Sequence, residues 1–194
     1  MEGSGDAMDA DRENPRCYAE RDRLLDGRHL LIRAMRPDDK AALQDGMHRL
    51  SAESSYLRFF RHKHELSPGE LIYFTEVDFE NHVALVAILP ESGADLLVGV
   101  GRYIVCERSP LIAAEVAFAV DDVHHGLGIA TVLLRHLTRI ARAARVAEFR
   151  ASVLAVNRKM LDVFSHSGLP KTLTRDGAVI ELRLSLGDRD RLPN

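Results

Sequence analysis

The stretch AEVAFAVDDVHHGLGIATVLLRHLTRIARAA, from Ala114 to Ala144, restricts the fold more than any other part of the chain. An apolar run ends at Val120. Beyond it Ile129, Leu133, Leu137, Ile140, Ala141 and Ala144 recur at helical spacing. Between the two stand Gly126 and Gly128, one residue apart. A strand that enters a helix through two glycines leaves the first helical N–H groups unpaired, and the helix dipole adds partial positive charge there. Glycine reaches positive φ and lets an anion come close to the backbone. The junction is therefore a candidate phosphate cradle, although a turn that merely needs two glycines gives the same pattern.

Two nucleotide-binding turns fail on the surrounding residues. A dinucleotide turn requires a third glycine where Thr131 stands, a place after the first strand of its unit, and an acid at the end of the next strand. Here several apolar runs precede the glycines, and no acid closes FRASVLAV. A P-loop requires Gly-Lys followed by Ser or Thr, which the chain lacks at this junction.

The rest of the chain supplies the other elements. HLLIRAM reads as a first strand. Asp38 or Asp39 is placed to cap a helix containing Ala41, Leu43 and Met47, and Ser51 to open a second, SAESSYLRFF. Ser67 to Glu70, SPGE, is a capping box with Pro68 at the first helical position, and it starts a short helix through LIYFTEV. HVALVAIL, LLVGVGRYIV and AEVAFAV read as three strands, the first two joined through ESGAD as a hairpin. After the glycine junction and its helix come the strand FRASVLAV, a helix opened by Asn157 and closed by Gly168, and RDGA turning into VIELRLS. A mostly antiparallel run followed by β-α-β-α predicts an α+β (mixed α/β) domain, with a central twisted sheet of six to seven strands flanked by helices. The expected domain spans 29–186. Residues 1–28 are polar and charged and read as a mobile arm with a short helix around Tyr18 to Leu25, and 187–194 read as a tail.

Composition narrows the function classes. With 194 residues, 46% of them apolar, the chain is long enough for one domain with a sizeable core. A formal charge of −3 argues against general nucleic-acid binding, and Arg135, Arg139, Arg142 and Arg145 read as a solvated helix face. Two distant cysteines, Cys17 and Cys106, fit a reduced protein. No apolar run is long enough to span a bilayer, and the acidic N-terminus lacks the pattern of a signal peptide. The expected location is the cytoplasm, with no membrane partner. His62, His64, His124 and His125 match no zinc spacing, so no metal is expected.

With the elements placed, HHGLGIA resembles the pyrophosphate-binding motif of the GNAT superfamily of N-acetyltransferases: Gln or Arg, two residues, Gly, any residue, then Gly or Ala. His125, Gly128 and Ala130 take those positions, with His125 in place of Gln or Arg. The element order is also that superfamily's order. VNRKMLDVFSHSGL resembles its next motif, in which an Asn opens the helix flanking the pantetheine arm. The resemblance runs from about His29 to Leu186. LSAESSYLRFF, AEVAFAV and LAVNRKML are similar to segments in the catalytic domain of bacterial Pat-type protein lysine acetyltransferases.

The resemblance implies the GNAT fold and acetyl-CoA as co-substrate. It implies acetyl transfer to an amine, with a protein lysine side chain as the first choice and a small-molecule amine as its rival. A non-catalytic acyl-CoA-binding regulatory module is the alternative outside the enzyme class. Whether the protein is a monomer or a homodimer stays open. By the same resemblance the diphosphate lies on His125, Gly126, Leu127, Gly128, Ile129, Ala130 and Thr131. The backbone of Phe118, Ala119 and Val120 lies beside the thioester, and Asn157 and Phe164 line the pantetheine arm. The family's general base maps onto Glu115. Glu115 is also the sole acid within AEVAFAV, and a carboxylate in apolar company titrates high enough to serve as a base. The other reading of Glu115 is a residue at a strand start that faces water. Phe164 takes the place of a Tyr that serves many members as acid, and Phe has no proton to give. Ser165 and His166 stand near it and neither is assigned. Tyr56 and Arg58 would border the acceptor, and His82 stands where many relatives carry an acid.

Overall fold

A computed structural model of the chain describes residues 14–91 and 94–187. Their strands are β1 (Ala19–Arg23), β2 (His29–Ala34), β3 (His82–Glu91), β4 (Ala94–Glu107), β5 (Ala113–Val120), β6 (Glu148–Leu154), β7 (Lys171–Asp176) and β8 (Val179–Ser185). The α-helices are α1 (Lys40–Arg49), α2 (Ala52–Phe59), α3 (Pro68–Thr75), α4 (Ile129–Ala143) and α5 (Arg158–Ser165). The strands form one sheet in the order β1-β2-β3-β4-β5-β6-β8-β7. All neighbours are antiparallel except β5 and β6, which run parallel and are joined by the crossover through α4.

The expected caps are in place. The Ser51 hydroxyl accepts from the Ser54 N–H, Ser67 and Glu70 form the reciprocal capping box, and Asn157 Oδ1 accepts from the Met160 N–H. Asp39 precedes α1, but its carboxylate turns away from that helix to accept from Arg33 and the Arg36 N–H. β3 and β4 pair as far as Glu91 and Ala94, which is the expected hairpin.

The N-terminal reading needs correction. The sheet has eight strands because Ala19–Arg23 is a strand paired with His29–Arg33, where an arm with a short helix was expected. Its sequence, AERDR, offers no apolar alternation to signal this. The strand is held instead by polar contacts to α4. The buried Tyr18 hydroxyl hydrogen-bonds His136 Nδ1, His136 Nε2 lies 2.9 Å from Asp22 Oδ2, and Arg139 pairs with Glu20. Arg135 pairs with Asp22, and Arg142 donates to the Leu186 carbonyl, so these arginines tie elements together rather than forming a purely solvated face. Residues 1–13 and 188–194, the rest of the expected arm and tail, lie outside the described residues.

Each face of the sheet carries its own core. On one face α4 packs Leu133, Leu137 and Ile140 against Tyr103, Val116 and Phe118. Gly99 permits this approach, since a Cβ there would stand 2.9 Å from the Ile129 side chain. On the other face Leu43 and Met47 of α1, with Leu66 and Val77, cover Ala84, Val86 and Val100.

β5 and β6 then part. They pair only at Ala113–Glu115 with Glu148–Arg150. Beyond that point β5 stays with β4 as far as Val120, and β6 stays with β8 as far as Leu154. The backbone of β5 from Val116 onward therefore has no strand partner on its β6 side.

Candidate active site

A cleft of about 760 Å³ opens where the two strands separate. Glu115 lies at its inner end, the β5 backbone and Ala151–Val153 form its walls, and the glycine loop forms its outer end. Asp121 and Asp122 lead into that loop and anchor it to the helices. Arg49 Nε donates to Asp121 at 2.7 Å, and the Ser51 N–H donates to Asp122 at 2.7 Å.

Gly126 and Gly128 have φ of 78° and 86°, the left-handed region that favours glycine. Gly128 caps α4, and the first intrahelical bond runs from the Val132 N–H to the Gly128 carbonyl. The N–H groups of Ile129, Ala130 and Thr131 thus precede any intrahelical acceptor, and all three residues line the cleft. Leu127 does not line it. Its carbonyl accepts from the Leu25 N–H at 3.2 Å, and its side chain packs on the core. Leu25, at the tip of the β1–β2 hairpin, leans over Gly128 and borders the cleft, so the N-terminal hairpin belongs to the site.

His125 is occupied within the chain. Its Nδ1 is 3.2 Å from Lys159 Nζ, and its Nε2 is 3.0 Å from the Val120 carbonyl. A lysine ammonium only donates, so Nδ1 accepts and Nε2–H donates to Val120. Both ring nitrogens are thus engaged within the chain, while the residue itself lines the cleft. The cation beside the loop is Lys159, with Arg158 next to it at the start of α5, and both line the cleft. The pair of bases directly after Asn157 was the available signal for them.

Along the cleft wall, Asn157 caps α5, and the Phe164 ring, almost fully buried, sits 6.0 Å from the Phe118 ring. His166 lines the cleft and Ser165 does not. Their side chains bond to each other and to the Asp162 carbonyl.

Glu115 is exposed on the cleft floor and not enclosed by apolar side chains, because it is the last β5 residue paired with β6. Its charged neighbour is Arg58 of α2, which also lines the cleft. Arg58 is half-buried. Tyr56 is the exposed one, stacked on His62 outside the cleft. Burial pulls the Arg58 guanidinium below its usual range, and the Glu115 carboxylate works against that.

His82 is buried behind Tyr73 and does not line the cleft. Arg102 Nη1 donates to its Nε2 at 3.1 Å. Burial first, and Arg102 second, bring its pKa down to about 4.

Among the described residues no group of three or more His, Cys, Asp or Glu is arranged to hold a metal ion, and no helix is long and apolar enough to cross a membrane.

The comparisons agree with this geometry. Residues 41–169 match the model of the Acetyltransferase (GNAT) family. Acetyltransferase PA5475 of Pseudomonas aeruginosa is 34% identical over 72% of this chain and 74% of its own length. Acetyltransferase Pat of Mycolicibacterium smegmatis is 30% identical over 73% of this chain, but over only 41% of its own. The crystal structure of the GNAT domain of S. lividans PAT superposes with a TM-score of 0.78 at 32% identity, covering 86% of this chain and 96% of that domain.

Proposed function

The chain belongs to the GNAT family of acetyltransferases, and from that premise we propose that it transfers acetyl from acetyl-CoA to the side-chain amine of a protein lysine. The observation that carries this reading is the place of Glu115. It is exposed at the inner end of a cleft whose outer end is a phosphate cradle, so a base and a cofactor anchor lie at opposite ends of one channel. The resemblance of LSAESSYLRFF, AEVAFAV and LAVNRKML to segments of Pat-type protein lysine acetyltransferases supports a protein acceptor.

The cleft residues fit acetyl-CoA. The N–H groups of Ile129–Thr131 and the Lys159 ammonium suit the diphosphate, and the backbone of Val116–Ala119, which has no strand partner on its β6 side, suits the amide-rich pantetheine arm. A strand N–H aimed at the thioester oxygen stabilises the charge that develops there. Glu115 takes one proton from the lysine ammonium, and the nitrogen attacks the thioester carbonyl. The C–N bond forms, the nitrogen gives up its second proton, and the C–S bond breaks. One proton ends on sulfur and the other in solvent. Phe164 supplies no acid, so in this reading water entering the cleft protonates the thiolate.

An acetyl-transfer screen with lysine peptides and small amines, read by mass spectrometry, tests the acceptor. Acetylated lysine in peptides supports the reading. Turnover on small amines alone overturns it.

A further inference from the structure

Arg102 is only 6% exposed. It sits on β4 between Ala84 and Ala117, whose small side chains leave room for its guanidinium. One edge is used: Nη1 donates to the Phe74 carbonyl at 3.3 Å and to His82, and the group lies 4.4 Å over the Phe74 ring. No carboxylate acts on it. Burial and the nearby Arg58 lower its pKa to about 9, with Tyr73 opposing.

Arg102 and Glu115 share a face of the sheet, one step apart diagonally, since Arg102 pairs with Ala117 and Ile104 with Glu115. Arg58 covers the same place from α2 and lines the cleft. The Arg58 guanidinium lies 5.0 Å over the Phe59 ring, and among the described residues it has neither an ion-pair partner nor a hydrogen bond, with Glu115 as the carboxylate that acts on it. The inner end of the cleft therefore holds the Arg58 guanidinium beside Glu115, with the buried Arg102 behind them on the same face of the sheet. A half-buried cation with no anionic partner is costly. An acceptor that brings its own anion relieves that cost.

We infer that Arg58, backed by Arg102, is a carboxylate subsite for the acceptor, and that the preferred lysine is one flanked by an acidic residue. Arg58 touches the acceptor carboxylate. Arg102 is a positioning residue that adds positive charge behind it. The inference rests on the lysine reading above and specifies its sequence context.

The test uses two peptides identical but for Glu or Gln next to the lysine, with the full chain and saturating acetyl-CoA. A hydrogen-bonded charge contact predicts that kcat/KM for the Glu peptide exceeds that for the Gln peptide by about tenfold to a hundredfold. The ratio should collapse in Arg58→Gln and survive in part in Arg58→Lys, with melting temperature and acetyl-CoA Kd as checks on folding and cofactor binding. Equal kcat/KM for both peptides in the parent overturns the subsite and leaves the lysine reading standing. A ratio that persists in Arg58→Gln overturns its assignment to Arg58. If neither peptide is acetylated, the lysine reading falls and the subsite with it.

Discussion

An amine attacks only as the free base, and a lysine with a pKa of about 10.4 is almost wholly ammonium at neutral pH. A positioned base contributes about a hundredfold to ten-thousandfold. Glu115→Gln should therefore lower kcat by that order and leave acetyl-CoA affinity nearly intact, with the residual rate climbing as pH rises. Parent-like turnover would show that Glu115 is only a surface residue. Lys159 makes a separate prediction. Lys159→Ala removes the cation beside the glycine loop and should weaken acetyl-CoA binding by roughly tenfold, an effect that shrinks as salt rises. Calorimetry at two ionic strengths separates this from a neutral contact. The two residues differ in how far the sequence exposes them. Glu115 is legible as a lone acid in an apolar strand, because the apolar pattern of a strand is local and residue type is distinctive. The engagement of His125 by Lys159 is not, because it joins residues from separate elements that only the completed fold brings to 3.2 Å.

The glycine loop is the element whose structure follows most directly from its sequence. Gly128 needs its φ of 86°, and a Cβ there would stand 3.3 Å from Leu25 Cγ. Gly128→Ala should cost roughly 1–2 kcal/mol from backbone strain alone. Gly128→Glu adds a carboxylate where phosphate is expected and should abolish measurable acetyl-CoA binding. Calorimetry beside a melting curve distinguishes the two, because unchanged affinity in a folded Gly128→Glu protein would remove the cradle from this loop. β1 is the opposite case. Its pattern is almost entirely exposed, so neither alternation nor an apolar face marks it as a strand. Its docking depends on Tyr18, Asp22 and His136, which lie far apart in sequence. The helices were legible because their caps are local: Ser51, Ser67 and Asn157 each bond an N–H three residues on. The parting of β5 and β6, which makes the cleft, leaves no such local mark. It depends on β6 continuing with β8 while β5 continues with β4.

Acid stability is a property of the whole molecule, because groups on several elements resist protonation together. His82 is held at about 4, below its unfolded value of about 6.5, by burial and then by Arg102. The unfolded chain accepts a proton that the folded chain refuses. The contribution from His82 is therefore complete above about pH 6.5 and is lost as pH falls toward 4. Several carboxylates act lower, Asp78 and Asp39 among them. Burial works to raise Asp78, but the N–H groups of His82, Glu80 and Asn81 override it and bring it to about 2. Burial likewise opposes, and the Arg33 hydrogen bonds and the Arg36 N–H override, at Asp39, which is held below the usual carboxylate range. Their contributions are present above about pH 3.9 and disappear below it. The melting temperature should thus decline in two stages, the first between about pH 6.5 and 4 and the second below. His82→Gln keeps an acceptor for Arg102 and cannot take up a proton, so it should flatten the first stage by several degrees and leave the second. Melting curves of parent and variant at matched pH values decide the matter. If the two curves run parallel from pH 7 to 4, His82 is as accessible to protons in the folded chain as in the unfolded one, and the buried His82–Arg102 contact does not persist in solution.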